Sequence, residues 1–198
     1  MRCSGRNHPP RHPGLSTDPG CRRAQEARDG TRPRGEASLS QRVTITASAA
    51  ETEQVGEDLA ARIAELRSDP KQYGIVCLHG TLGAGKTTLV RGFARGIGIT
   101  EPVTSPSYTI VNEYVADKGP VPGTTLYHVD LYRLDSADEF ELIGADDILF
   151  GRGIAVIEWS EKIASLLPPG IIDVTIEILE GSRRKITVEG AYNVHCGT

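Results

Sequence analysis

The run Gly80-Thr81-Leu82-Gly83-Ala84-Gly85-Lys86-Thr87-Thr88 satisfies the phosphate-loop pattern G-x-x-x-x-G-K-[ST] at every fixed position. Each residue type has chemical work in that place. Gly83 and Gly85 free the backbone to turn successive N–H groups inward around a phosphate. Lys86 brings a point positive charge to the β- and γ-phosphates, and the Thr87 hydroxyl is placed to ligate Mg²⁺. The stretch from Leu82 through Ala84 to Thr88 is therefore read as nucleotide-binding. A Gly-rich turn that only joins a strand to a helix is the bland alternative, but the flanking sequence supports the phosphate loop. Two acids could manage the metal: Asp130, after Leu126-Tyr127-His128-Val129, and Glu158, after Ile154-Ala155-Val156-Ile157. A phosphate-loop enzyme needs a carboxylate at the C-terminal end of a strand to hold or orient the Mg²⁺ shell. A strand-end acid can also cap the next helix. Function is preferred for both, with Glu158 in the fuller context because four buried-type residues precede it.

Those residues need a scaffold, and the neighbouring sequence describes one. Ile75-Val76-Cys77-Leu78-His79 is apolar and β-branched, as a buried parallel strand would be. After the loop, Leu89, Val90, Phe93, Ala94 and Ile97 fall on one helical face, so a helix N-terminus meets the anion. Upstream, Val43–Thr46 predicts a short strand. Ser48 and Glu51 form a capping box for a helix to about Arg67, ended by Asp69-Pro70. Downstream, Val103–Ser107 reads as a polar loop before a strand over Tyr108–Val115. That loop is either a segment that responds to the γ-phosphate or an ordinary turn, and spacing leaves both open. Residues 116–123 read as an exposed hairpin loop. Ser136 caps a short acidic helix, Asp146–Phe150 makes another turn, and Ser160–Leu166 a third, closed by Pro168-Pro169-Gly170. The acid run around Asp138 is read as a solvated face and not a metal site. Alternation over Ile172–Ile178 and Lys185–Val188 predicts an antiparallel hairpin with one wet face. His128 is read as a packing histidine without a role.

Composition sets outer bounds. A chain of 198 residues suffices for one α/β domain. Residues 1–42 hold nine Arg against four acids, while the remainder is acidic enough to bring the whole to −4. An acidic domain argues against direct, phosphate-driven binding of tRNA or DNA. No apolar run is long enough to cross a bilayer, so a protein without a membrane span is expected. The four cysteines at 3, 21, 77 and 196 are too scattered for a zinc site; reduced thiols in a cytoplasmic protein are the simplest reading. The first 42 residues, rich in Arg, Pro, Gly and Ser, are expected to be disordered. A basic tail and a targeting leader are alternatives, but Pro9, Pro10, Pro13 and Pro19 break any amphipathic helix. A dispensable extension, as an upstream start site would produce, is preferred. Residues 191–198 read as a frayed tail.

Four phrases in this order resemble one family: GTLGAGKTT at 80–88, TSPSYTIVNEY at 104–114, HVDLYRL at 128–134 and IEW at 157–159. Residues 43–190 look like TsaE, the bacterial ATPase component of tRNA threonylcarbamoyladenosine synthesis. The resemblance implies a phosphate-loop NTPase-like, three-layer α/β fold, with a mixed, mostly parallel sheet and a C-terminal antiparallel hairpin. It implies slow ATP hydrolysis in isolation and action with the TsaB–TsaD pair, with tRNA met only indirectly. It further implies that Lys86 and Thr87 bind phosphate and Mg²⁺, that Glu158 supplies the acidic metal-linked group, and that Asp130 and Trp159 are needed for activity. The Ser105–Tyr108 loop would respond to nucleotide. Ser48 and one of Arg183 or Arg184, with Arg183 taken, would touch the adenine side. The departures from the family pattern are the extension at 1–42 and a longer loop at 116–123, neither of which touches a motif. Two rival readings use the same loop: a small-molecule kinase, and a nucleotide-switched assembly factor with little turnover. The Arg-poor stretch from 96 to 130 argues against the lid of a kinase. No arginine finger stands near the loop in sequence, and which of Asp130 and Glu158 orients the attacking water stays open.

Overall fold

In a computed structural model, residues 41–66 and 74–190 are described. The leader up to residue 40, the Asp69-Pro70 helix stop, the tail at 191–198 and the cysteines at 3, 21 and 196 lie outside the described residues. Local sequence accounts for most elements. β1 (Arg42–Thr46) is the β-branched run, and α1 (Ala49–Leu66) starts where Ser48 accepts from the Glu51 N–H at 3.2 Å. Glu51 reaches back to the Ala47 N–H at 2.8 Å, one residue earlier than a standard capping box. β2 (Gly74–His79) leads into the glycine loop and α2 (Lys86–Ile97), which Gly98 ends in the left-handed conformation. β3 (Val111–Val115) and β4 (Thr125–Asp130) form a hairpin. Short helices α3 (Ala137–Leu142) and α4 (Ala145–Phe150) precede β5 (Ile154–Glu158), and β6 (Ile172–Ile178) and β7 (Arg184–Glu189) form the last hairpin.

The strands make one seven-stranded mixed sheet in the order β1-β7-β6-β2-β5-β4-β3. Its middle is parallel, β6-β2-β5-β4, and each flank closes with antiparallel pairs. The pairings thus divide evenly instead of being mostly parallel. Two hairpins with short connections return the chain antiparallel at both sides, which a parallel crossover cannot do. Alternate residues of the buried strands face two cores. Val76, Leu78 and Val156 pack under α1 and α2, while Ile75, Cys77, Ala155 and Ile157 pack against α3, α4 and the turn after β5. Burial pushes the Cys77 thiol up to about 12, so it stays protonated as core packing. Among the described residues, no helix is long and apolar enough to cross a membrane.

Two expected elements differ. The strand proposed from Tyr108 begins only at Val111, because residues 107–109 form a turn closed by the Ile110 N–H donating to the Pro106 carbonyl at 2.7 Å. The helix proposed over Ser160–Leu166 is a 3₁₀ turn, Ser160–Ile163, followed by a looser turn. Two residues before Pro168, the chain has no room to extend it.

α1 crosses α2 on backbone contact. A Cβ at Gly92 would stand 1.8 Å from the Glu53 carbonyl oxygen, and one at Gly56 would stand 2.2 Å from the Leu89 carbonyl. Arg95 adds ion pairs to Glu53 and Glu57 at 2.6 Å across the same crossing. These glycines therefore set how closely α1 lies over α2, and so where the loop at the head of α2 sits. Alanine at Gly92 gains about 1 kcal/mol of helix propensity, but a backbone clash of this size costs more, about 1–3 kcal/mol or above. Gly92→Ala is expected to lower the midpoint of urea unfolding with the clash outweighing the propensity gain; an unchanged or raised midpoint would contradict this crossing.

Candidate active site

Lys86, Thr87, Asp130 and Glu158 come together because three elements end at one edge of the parallel strands. β4 and β5 run parallel with Asp130 opposite Glu158, and both point to the face that carries α2. Gly83 and Gly85 have φ of 77° and 110°, conformations that a side chain resists, and Gly85 delivers the chain into α2. The Thr87 hydroxyl, in the first turn, donates to Glu158 Oε1 at 2.7 Å. Both carboxylates are nearly buried, at 4 % exposure. An ionised carboxylate at that depth needs donors. Glu158 also receives His128 Nε2 at 3.0 Å, and Asp130 accepts Ser107 Oγ at 2.7 Å, Ser105 Oγ at 3.1 Å and the Tyr132 N–H at 3.1 Å.

Lys86 is turned inward. Its Nζ donates to the Gly80 and Thr81 carbonyls at 2.6 and 3.1 Å and lies 3.9 Å from the centroid of the Trp159 ring. Burial pushes its pKa down, and the negative charges of Glu158, Glu161 and Asp130 oppose that push. Trp159 occupies the left-handed region at φ 62°, a conformation costing on the order of 1–3 kcal/mol outside glycine. Its N–H donates to the Leu78 carbonyl at 3.2 Å, which locks the turn that brings the indole over Lys86. Tyr132 stacks against the same ring at 5.2 Å.

These groups line a cleft of about 260 Å³ that also takes in the backbone from Leu82 to Thr88 and the hydroxyls of Ser105 and Ser107. Ser48 and Arg183 stand outside it. Ser48 caps α1, whose first turn approaches the loop through Thr52, the nearest side chain to a Cβ built on Gly85 at 3.9 Å. On the hairpin, Arg184 and not Arg183 reaches the loop: its Nε donates to the Ala84 carbonyl at 3.0 Å, while Arg183 is exposed and its backbone closes the hairpin turn with Leu179 and Glu180. The residue that sequence reading missed is His128, fully buried and bonded to Glu158. Its signal was two-residue spacing from Asp130, which places both on one face of β4.

The oxygens of Thr87 and Glu158, with Asp130 beside them, are hard ligands of the kind Mg²⁺ prefers, and their 2.7 Å contact shows that one small ion could meet both. Among the described residues no cluster of three or more His, Cys, Asp or Glu could hold a metal unaided.

The profile of the family described as "Threonylcarbamoyl adenosine biosynthesis protein TsaE" matches residues 46–186. The tRNA threonylcarbamoyladenosine biosynthesis protein TsaE of Treponema pallidum is 42% identical over 60% of this chain and 83% of its own length. Its Aquifex aeolicus counterpart is 40% identical over 70% of this chain and 91% of its own. Among solved structures, Bacillus subtilis YdiB superposes with a TM-score of 0.61 at 31% identity, covering 77% of this chain and 87% of that one. The matched segment carries the glycine loop, both strand-end acids and Trp159, and the chain belongs to the TsaE family.

Proposed function

We propose that this chain is an Mg²⁺-dependent ATPase of tRNA threonylcarbamoyladenosine biosynthesis, built as a phosphate-loop NTPase-like three-layer fold and working in the cytoplasm with a TsaB–TsaD complex. Contact with tRNA is indirect, in keeping with the acidic domain. The observation that carries the reading is the 2.7 Å bond from Thr87 to Glu158 beneath a loop whose lysine is held inward. The loop N–H groups and Lys86 bind the β- and γ-phosphates, with Leu82, Ala84 and Thr88 contributing backbone, and Thr87 and Glu158 hold the metal. Mg²⁺, when bound, neutralises charge developing on the phosphates. Asp130 or Glu158 orients the water whose oxygen attacks the γ-phosphorus as the bond to the β-phosphate oxygen breaks and ADP leaves. Trp159 positions Lys86. Ser48 and the Arg183-Arg184 pair border the adenine side, with Arg184 the better placed. Among the described residues no arginine lines the cleft, so turnover is slow until a partner completes the site. The stretch from 96 to 130, which carries no arginine, likewise argues against a kinase lid.

One observation favours a second reading, a nucleotide-switched assembly factor. Ser105 and Ser107 hold Asp130, so a ligand that recruits Asp130 must compete with them and loosen the 104–110 loop.

Lys86→Ala is expected to weaken ATP binding by roughly 10- to 100-fold, the equivalent of about 1.5–3 kcal/mol of hydrogen bonding to a charged group. Isothermal titration measures it, and intact binding together with intact partner-dependent tRNA modification would sink the proposal. Glu158→Gln keeps an acceptor for Thr87 but removes charge; hydrolysis should fall by roughly 100-fold while ATP still binds. If tRNA modification survives in that variant, switching and not turnover is the essential step. Because Trp159 is the sole tryptophan of the chain, adding Mg²⁺ and ATP should shift its fluorescence as phosphate draws Lys86 from the ring; Lys86→Ala should abolish that response.

A further inference from the structure

His128 is a costly choice for its position. It sits on β4 between Leu126 and Asp130 on the α2 face, at 0 % exposure, where an aliphatic side chain would fill the core without a polar group to satisfy. A histidine retained only for packing is expected to satisfy both ring nitrogens. Here Nδ1 has no hydrogen-bond partner among the described residues, and the one bond the ring makes goes to Glu158 Oε1. Since Nε2 faces a carboxylate oxygen, Nε2 carries the proton and donates.

The consequence lies in how donors divide over Glu158. Thr87 and His128 both donate to Oε1, from α2 and β4 respectively, and converge on one atom from two rigid elements. A single donor would leave the carboxylate free to swing about its own side-chain torsions; two fix it and, among the described residues, leave Oε2 without a side-chain donor. Thr87, by spending its proton on Glu158, keeps its lone pairs for a cation. We infer that His128 is a positioning residue for the proposed reaction, holding the Glu158 carboxylate in the orientation that lets Glu158 and Thr87 share one divalent metal ion. The inference rests on the function proposed above.

The test compares wild type with His128→Leu, which keeps bulk without a donor, and His128→Gln, whose amide N–H can reach toward the same oxygen. Binding of a fluorescent ATP analogue to the full chain is titrated against MgCl₂, with urea unfolding and the split of kcat from KM recorded beside it. In His128→Leu the Mg²⁺ midpoint should rise roughly 10- to 100-fold, the usual loss when a group supporting a metal ligand is removed. Binding without Mg²⁺ should be unchanged, kcat should fall more than KM rises, and His128→Gln should recover most of the loss. A His128→Leu midpoint equal to wild type overturns the inference, and so does a His128→Gln as impaired and as destabilised as His128→Leu, which would mean packing alone. Should His128→Leu not fold, proton NMR of the wild type decides. A slowly exchanging ring N–H, absent in His128→Gln and displaced in Glu158→Gln, sustains the bond; its absence from wild type removes it. A wild type whose nucleotide binding ignores Mg²⁺ overturns the proposed function and this inference together, whereas Mg²⁺-dependent wild type beside an indifferent His128→Leu overturns the inference alone.

Discussion

A carboxylate buried at the end of β5 must be surrounded by donors or neutralised, and the fold around Glu158 follows from that requirement. Thr87 reaches it from the first turn of α2 and His128 from β4. Its own carbonyl accepts the Leu131 N–H at 3.1 Å, tying the chain beyond β4 to the end of β5. The parallel register that sets Asp130 beside Glu158 is thus more than sheet geometry. It places two negative groups at one sheet edge, facing the positive end of α2, where their repulsion is tolerable only with hydroxyls, a lysine and the helix N-terminus close by.

Strain collects at the same edge. Among the described residues two non-glycine residues adopt left-handed backbone, Ile110 at φ 68° and Trp159 at φ 62°. Both are pinned by bonds to the ends of the active strands: the Ile110 carbonyl accepts the Asp130 N–H at 2.9 Å, and the Trp159 N–H donates to Leu78 at the end of β2. For a β-branched residue such as Ile110 this backbone is costly, on the order of 1–3 kcal/mol. The strain persists because Ser105 and Ser107 hold Asp130 from one side while the Pro106 carbonyl holds the Ile110 N–H from the other. A ligand competing for Asp130 would remove part of that support.

How much of this was legible in the sequence depended on range. The glycine loop is a local pattern whose residues dictate their own backbone, so Gly80–Thr88 could be read outright. Glu158 and Asp130 were legible because apolar strands end on them. His128 was not. Its two-residue spacing from Asp130 set the face they share, but not which neighbour its ring would meet; only the sheet order, β5 beside β4, decides that. The start of β3 was misplaced for a related reason: Tyr108-Thr109-Ile110 has strand-forming residues, and tertiary bonds to Pro106 and Asp130 override that preference. Arg184 could not be separated from Arg183, because the sequence does not show where the turn ends, and β7 begins only at Arg184. The even division of pairings was hidden because the third antiparallel pair, β1 with β7, joins strands far apart in the sequence.

The surroundings of the loop divide into a firm side and a strained side. On the firm side, Arg184 fixes the Ala84 carbonyl, Ser182 Oγ donates to the Ala47 carbonyl at 2.7 Å, and the buried hydroxyls of Thr46 and Thr52 meet at 2.9 Å. The glycine crossing of α1 and α2 holds that whole side against the loop. A cradle braced in this way needs little ordering when an anion arrives, which favours binding. On the other side, the 104–110 segment is joined to the site through Asp130 and through Arg133 lying 4.3 Å over the exposed ring of Tyr108. Exposed contacts of that kind are weak, at most about 1 kcal/mol, so the segment is held chiefly by the bonds of Ser105 and Ser107 to Asp130 and of Ile110 to Pro106 and Asp130. The braced glycine loop and the 104–110 segment thus meet at one cleft, where Ser105 and Ser107 from the segment join Asp130 in the lining.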